Sequence, residues 1–156
     1  MVDAESNVTE YAYDAAGRLK EVKDALNGLA AIEYDLNGNP LKTTDQNGNS
    51  TSYHYDVIGQ VLAEVDGAGF ITAMEYDSLG NVEKVIDALK GETAMEVDAL
   101  SCTTKMTDVM GHEYEYTYDA NGNVIRILFP DGDSMVMVYD AENRMIRSID
   151  ECCLAH

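Results

Sequence analysis

The sequence predicts an all-β protein, a repetitive β-hairpin ribbon with two short antiparallel strands in each repeat. The first observation is a Tyr-Asp pair that returns every 21 residues. The second is the Asp, Asn and Gly turn chemistry that follows each pair. The third is alternation of apolar and polar residues before each pair, which is typical of strands with one buried face. We therefore expect about seven 21-residue repeats in a curved or spiralling sheet.

The Tyr-Asp pairs set the length of the repeat. Val97-Asp98 stands where one pair is missing, between the pairs of Tyr76 and Tyr118. Fixed self-similarity at about 20–50 residues signals a repeat architecture. The predicted organisation is a single array over residues 1–156, in which residues 1–12 are the back half of a preceding repeat. The repeats then start at positions 13, 34, 55, 76, 97, 118 and 139.

The residues after each tyrosine predict a tight turn, because Asp bonds the backbone two residues on and Gly tolerates a positive φ. Asn143 replaces the glycine in the last repeat, and Asn is among the non-glycine residues best able to adopt that conformation. Ser101 replaces it in the degenerate fifth repeat. The predicted structural residues are Tyr13, Asp14, Gly17, Tyr34, Asp35, Gly38, Tyr55, Asp56, Gly59, Tyr76, Asp77, Gly80, Tyr118, Asp119, Gly122, Tyr139 and Asp140.

A second turn is predicted eleven residues into each repeat. Phe129 interrupts this column, but Pro130-Asp131-Gly132 restores turn chemistry directly after it. The strand between the two turns lacks a clean alternating phase, and a β-bulge near the first turn would explain the slip. The column consists of Asp24, Asp45, Asp66, Asp87, Asp108 and Asp150.

The strand before each Tyr-Asp pair alternates clearly between apolar and polar positions. This pattern predicts a ladder of Tyr and Met on a buried face, with a wet face opposite. The apolar column is Tyr11, Ile32, Tyr53, Met74, Met95, Tyr116 and Met137. The next column, mostly polar, is Ala12, Glu33, His54, Glu75, Glu96, Thr117 and Val138.

Composition argues against several classes of partner. The chain has 29 acidic and 10 basic residues and a net charge of −19, whereas a nucleic-acid-binding protein needs a basic surface. No apolar run is long enough to span a membrane, and the polar N-terminus is not a signal peptide. We expect either export without such a signal or a piece of a longer chain. Open terminal strands would then pair with flanking repeats or with other copies.

The residues give no positive evidence for catalysis, a metal or a cofactor. His54, His112 and His156 share no ligand spacing, and Cys102, Cys152 and Cys153 form no Cys-x-x-Cys pair. The adjacent cysteines near the end would instead link chains under oxidising conditions. The sequence therefore predicts a protein that is not an enzyme.

Three Asp/Asn/Gly loops offer oxygen ligands of the kind that calcium prefers. None has the spacing of an EF-hand, and turn formation explains the same residues, so no cofactor is predicted and calcium is the weaker interpretation. The loops are 35–39, 45–49 and 119–123.

The signature Tyr-Asp-x-x-Gly-Asn/Arg-Leu/Val, followed by Asp-x-x-Gly and a Tyr-rich strand, resembles the YD repeat of Rhs proteins, toxin-complex shells and teneurins. The best-matching stretches are 34–49, 55–69 and 118–132. The resemblance implies a hairpin ribbon that spirals into a hollow shell around a cargo protein, and a secreted or cell-surface location.

Three functions follow. The first is a non-enzymatic segment of a YD-repeat shell or surface assembly. The second is an extracellular fibre whose copies polymerise head to tail through open edge strands. The third is an adhesion module that binds carbohydrate or protein, which would require aromatic residues such as Tyr114 to face outward.

Overall fold

The computed structural model describes residues 8–152, and these residues form an all-β structure. They contain fourteen strands in one open antiparallel sheet, and the order of the strands in the sheet is their order in the sequence. Within this range there is no helix, and hence none that could cross a membrane. The predicted ribbon of consecutive hairpins is confirmed. Its curvature stays a prediction.

Each repeat contributes one strand that starts after its first turn and one that ends at the first residue of the next repeat. The strands are β1 (Glu10–Tyr13), β2 (Leu19–Lys23), β3 (Leu29–Tyr34), β4 (Pro40–Thr44), β5 (Ser50–Tyr55), β6 (Val61–Val65), β7 (Ile71–Tyr76), β8 (Val82–Ile86), β9 (Glu92–Val97), β10 (Thr103–Thr107), β11 (Glu113–Tyr118), β12 (Val124–Leu128), β13 (Ser134–Tyr139) and β14 (Met145–Glu151). The chain divides into two compact units, and the boundary lies within β7 between Ala73 and Met74.

The first unit has two chemically different faces. Directly opposed residues of antiparallel strands point to the same side. Tyr11 opposes Val22, and Ile32 opposes Thr43, which in turn opposes Thr51. We call this side, which carries the Tyr-Met column, the Tyr face. On the other side, the charged face, Glu33 opposes Lys42.

The second unit has the same arrangement. On its Tyr face, Met106 opposes both Met95 and Tyr114, and Tyr116 opposes Ile127. On its charged face, Lys105 opposes both Glu96 and Glu115. The alternation read from the sequence therefore separates the two faces in both units.

β-Bulges follow the first turns, as the irregular phase after those turns predicted. The register shifts at Tyr13, Tyr34, Tyr55, Tyr118 and Tyr139, and again at Thr103. In β6, for example, Tyr55 opposes Val61 while His54 opposes Ala63, so Leu62 is the extra residue. The bulge turns the apolar residue after the turn onto the Tyr face and restores the alternation beyond it.

The predicted burial of the Tyr-Met ladder is wrong in degree. No hydrophobic residue in the described part of the chain is buried, and Ser134, at 4 % exposure, is the one buried polar residue there. Most of the ladder is half-buried, while Tyr11 and Tyr13 are 46 % and 58 % exposed. The physical reason is that the described residues form a single layer of sheet, whereas a buried core needs a second layer.

Candidate functional site

The turn at Asp119 shows how the repeat closes its first hairpin. Oδ1 of Asp119 accepts hydrogen bonds of 2.9 Å from the backbone N–H groups of Asn121 and Asn123, and Oδ2 accepts one of 2.9 Å from Asn123 Nδ2. The N–H of Gly122 donates to the carbonyl oxygen of Asp119 at 3.1 Å. The carboxylate thus satisfies backbone groups that the sheet cannot reach.

We call this set of hydrogen bonds around the aspartate the Asp cage, and it recurs in every predicted Tyr-Asp turn. Asp14, Asp35, Asp56, Asp77 and Asp140 each accept from the backbone N–H groups two and four residues on. The degenerate repeat keeps it at Asp98. The glycine column has positive φ angles, namely 81° at Gly17, 99° at Gly38, 91° at Gly59, 89° at Gly80 and 85° at Gly122.

Non-glycine residues hold the left-handed conformation where the glycine is missing. Asn143 has a φ of 60° and Ser101 one of 63°. Since the left-handed region costs an ordinary L-residue about 1–2 kcal/mol, the hydrogen bonds of the cage hold these two turns against that strain.

The second turns use the same geometry. Asp24, Asp45, Asp66, Asp87 and Asp108 each bond the backbone N–H groups two and four residues on. At the exception, Phe129 accepts the turn bond from Gly132, and Asp131 supplies the carboxylate. The turn predicted at Asp150 is wrong for the described residues, because Asp150 lies inside β14.

The cage lowers the pKa of the carboxyl groups of Asp45, Asp77, Asp119 and Asp140. The largest cause at Asp45, Asp77, Asp119 and Asp140 is the hydrogen bond from the side chain four residues on, which is Asn49, Asn81, Asn123 and Arg144 respectively. These bonds favour the charged carboxylate. The carboxylates are therefore committed to their own turns.

Three tyrosine hydroxyls connect their repeat to the one before it. Tyr34 donates to the carbonyl oxygen of Leu19 at 2.8 Å, Tyr55 to that of Pro40 at 2.7 Å, and Tyr118 to that of Thr103 at 2.7 Å. The hydroxyls of Tyr76 and Tyr139 lie 3.7 and 3.9 Å from the sulfur atoms of Met74 and Met137. Tyr13 lies at the exposed end of β1.

Polar side chains on the first turns also cross between repeats. The guanidinium of Arg18 pairs with Asp14 at 2.7 Å, donates to the carbonyl oxygen of Asp35 at 3.2 Å, and lies 4.5 Å above the Tyr34 ring. In the second unit, Nδ2 of Asn123 donates to Oδ1 of Asn143 at 2.9 Å. These contacts and the tyrosine bonds link neighbouring repeats at several points along the turn edge of each unit.

The remaining candidate residues stay apart. Within residues 8–152 no three His, Cys, Asp or Glu side chains are close enough to share a metal ion. His54 is exposed, and His112 Nδ1 lies 3.0 Å from Asp108 Oδ2 in its turn. Cys102 is half-buried, and Asp133 raises the pKa of the exposed Cys152 thiol. Cys153 and His156 lie outside the described residues.

Tyr114 lies on the Tyr face, half-buried, and its ring meets Phe129 edge-on at a centroid distance of 6.4 Å. This packing uses part of the aromatic surface that the adhesion interpretation requires.

Sequence reasoning missed a basic column on the charged face. Half of the ten basic residues occupy a single position of the repeat, eight residues after the tyrosine. A search of the 21-residue spacing for charge, rather than for turn residues, would have found it. The column consists of Lys42, Lys84, Lys105, Arg126 and Arg147.

Comparison with known proteins gives one family and one group of structures. A family model described as RHS Repeat matches residues 1–28 and 34–71. The Tc holotoxin pore of Photorhabdus luminescens is 18% identical, with a TM-score of 0.70 over 96% of this chain and 9% of that chain. The TcdB2-TccC3-TEV structure is 19% identical, with a TM-score of 0.71 and the same coverage. No curated protein matches.

A third structure, TcdB2-TccC3, is 16% identical with a TM-score of 0.57 over 96% of this chain and 11% of that chain. This chain therefore spans about a tenth of the length of the structures that it resembles. At these identities the likeness shows a shared fold.

Proposed function

We propose that this chain is a YD-repeat protein of the Rhs type, which the match of the RHS Repeat family model to residues 1–28 and 34–71 supports, and that its structural role is to form a segment of the wall of a larger shell that encloses a cargo protein. The observation that carries this proposal is the single-layer sheet. It has two chemically distinct faces and no buried hydrophobic residue within residues 8–152. Such a layer suits a wall that separates an interior from an exterior.

The pattern of hydrogen bonds supports the same role. Each Asp cage bonds the backbone of its own turn, and the hydroxyls of Tyr34, Tyr55 and Tyr118 bond the preceding repeat. The polar groups of the repeat therefore stabilise a continuous array, and a site for chemistry is not needed to explain them. We propose accordingly that the segment is not an enzyme, and that it works outside the cell or at its surface.

Flanking repeats are the partners that this role requires. Antiparallel strands add to a sheet through free backbone groups, and each repeat here is joined to the next by such pairing. The fibre is the alternative, since the same pairing between copies would give a filament rather than a wall.

The test is particle size as a function of concentration, measured by light scattering with negative-stain images of the same samples. A wall segment gives discrete particles of one or two copies whose size does not change over a hundredfold range of concentration. Threads that lengthen with concentration would overturn the wall proposal and support the fibre.

A further inference from the structure

On the charged face of the second unit, the basic residues of β8 and β10 form ion pairs with carboxylates. Lys84 Nζ lies 3.2 Å from Glu92 and 3.8 Å from Glu75. Lys105 Nζ lies 2.7 Å from Glu113. Each lysine is therefore flanked by acidic side chains of the neighbouring strands, which compensate its charge.

This compensation ends at β12 although the basic column continues. Arg126 opposes Thr117 and Val136, and Arg147 opposes Val138. Within the described residues neither arginine has a carboxylate oxygen within the 4.0 Å of an ion pair, whereas Lys84 and Lys105 both do. Arg126 Nη2 donates only a long bond of 3.4 Å to the Ser134 hydroxyl, which itself bonds Glu151.

Aliphatic side chains replace the missing carboxylates on the same face. Val136 and Val138 stand where the previous repeat has Glu115 and Thr117, and Val138 is 40 % exposed. The extra residue of each bulge adds to them, namely Ile125 after Tyr118 and Ile146, 63 % exposed, after Tyr139. The result is an apolar surface that contains two arginines without a direct ion pair among the described residues.

Most of these side chains line an open groove. Thr117, Ile125, Arg126, Val136 and Val138 form its floor, with turn residues at one end. The acidic turn residues Asp119 and Asp140 are occupied by Asn123 and Arg144. We call these five floor residues the Arg126 groove, and Arg147 lies beside it, opposite Val138.

We propose that the Arg126 groove docks an extended segment of a partner polypeptide that carries carboxylate and aliphatic side chains in alternation. Charge complementarity is the reason, because the second unit supplies carboxylates to Lys84 and Lys105 of its basic column and omits them here, despite a net charge of −19. An extended segment places alternate side chains on one side, which matches rows of arginine and valine on the sheet. The proposal does not depend on whether the chain is part of a wall or a fibre.

The test uses the full chain and a fluorescein-labelled peptide of alternating glutamate and valine, with fluorescence anisotropy as the readout. We expect saturable binding that Arg126→Gln and Arg147→Gln each weaken about tenfold, and that added salt weakens further. Lys42→Gln is the matched control, because Lys42 occupies the same position of the repeat but lies in the first unit, where it opposes Glu33. It should bind like the wild type.

Three outcomes would overturn the proposal. They are no saturable binding, equal binding of a lysine–valine peptide, and full binding by the Arg126→Gln variant, which would place the peptide on a strand edge instead. Two further measurements address other occupants. Binding to vesicles of anionic lipid without binding to the peptide would assign the groove to a membrane. A dimer that the Arg126→Gln variant no longer forms would assign the groove to a second copy of this chain. Either result would overturn the proposal of a polypeptide segment in the groove.

Discussion

The hydroxyl of Tyr118, the last residue of β11, donates a 2.7 Å hydrogen bond to the carbonyl oxygen of Thr103, the first residue of β10. The last directly paired residues of these strands are Glu115 and Lys105, so the tyrosine reaches beyond their ladder. Tyr34 and Tyr55 make the equivalent bonds to Leu19 and Pro40. At these three positions the tyrosine therefore fastens the start of its repeat to the start of the preceding strand, near a first turn.

Tyr118→Phe should lower the free energy of unfolding by about 1 kcal/mol, because it removes this hydrogen bond and leaves the half-buried ring in place. Urea unfolding measures the change. Tyr114→Phe is the control, since Tyr114 packs on Phe129 and no hydrogen bond of its hydroxyl is seen within residues 8–152. An equal loss in both variants would contradict a special role for the Tyr-Asp tyrosine.

Gly122→Ala should destabilise the protein by about 1–2 kcal/mol, because the left-handed conformation is strained for a residue with a Cβ. The φ of Gly122 is 85°, and a Cβ built there meets no atom within 4 Å, so the cost is conformational rather than steric. Thermal and urea unfolding give the magnitude.

Ser101→Gly is the reciprocal variant and should stabilise by up to about 1 kcal/mol, since Ser101 already has a φ of 63°. Part of that gain is offset by the greater freedom of glycine in the unfolded chain. If Ser101→Gly destabilised the protein as much as Gly122→Ala, the positive φ at this position of the first turn would not be what determines the effect of either substitution.

The turns and strands were predictable from the sequence because their causes are local. Asp119 and Gly122 determine their hairpin through bonds within five residues, and the alternation around Tyr116 follows from the pleat. The acceptor of Tyr118 was not predictable, because Thr103 contributes a backbone carbonyl that carries no sequence signal. The degree of burial was also missed. Alternation shows which side of a strand is apolar, but it does not show whether a second layer covers that side.

The Arg126 groove illustrates the same limit. The 21-residue spacing alone aligns Arg126 with Lys105, so the column of basic residues could have been found in the sequence. Its pairing partners depend on the register across two hairpins, and each bulge shifts that register by one residue. The loss of carboxylates around Arg126 therefore became visible only with the pairing of β11, β12 and β13.

Asp119→Asn should make stability less sensitive to acid. The folded pKa of Asp119 is lowered, chiefly by the side chain of Asn123, so its charge stabilises the fold above the ordinary carboxyl pKa of 3.8. That contribution is lost as the pH falls below 3.8 through the lower folded value. We expect the difference in urea midpoint between wild type and Asp119→Asn to be largest at neutral pH and to shrink below pH 3.8.

Glu83→Gln serves as the control for this measurement, because Glu83 is an exposed carboxylate on β8 and not part of a turn cage. Its difference from wild type should not follow the pattern of Asp119→Asn. A neutral-pH difference for Asp119→Asn that persisted unchanged in acid would show that shape, and not charge, is what the cage requires of Asp119.

Lys105 and Glu113 should show a coupling energy that salt abolishes. Their side chains are 28% and 56% exposed and meet at 2.7 Å, so solvent ions have access to the pair. The screening length falls from about 10 Å at 0.1 M salt to about 3 Å at 1 M. A double-mutant cycle with Lys105→Gln and Glu113→Gln, measured by urea unfolding at low and high salt, isolates the pair from each residue's other contacts.

The same cycle on Lys20 and Glu21, which lie 3.8 Å apart and are both about half exposed, should give almost no coupling at either salt concentration. Coupling between Lys105 and Glu113 that survived 1 M salt would mean that packing of the two side chains, rather than charge compensation, organises the basic column.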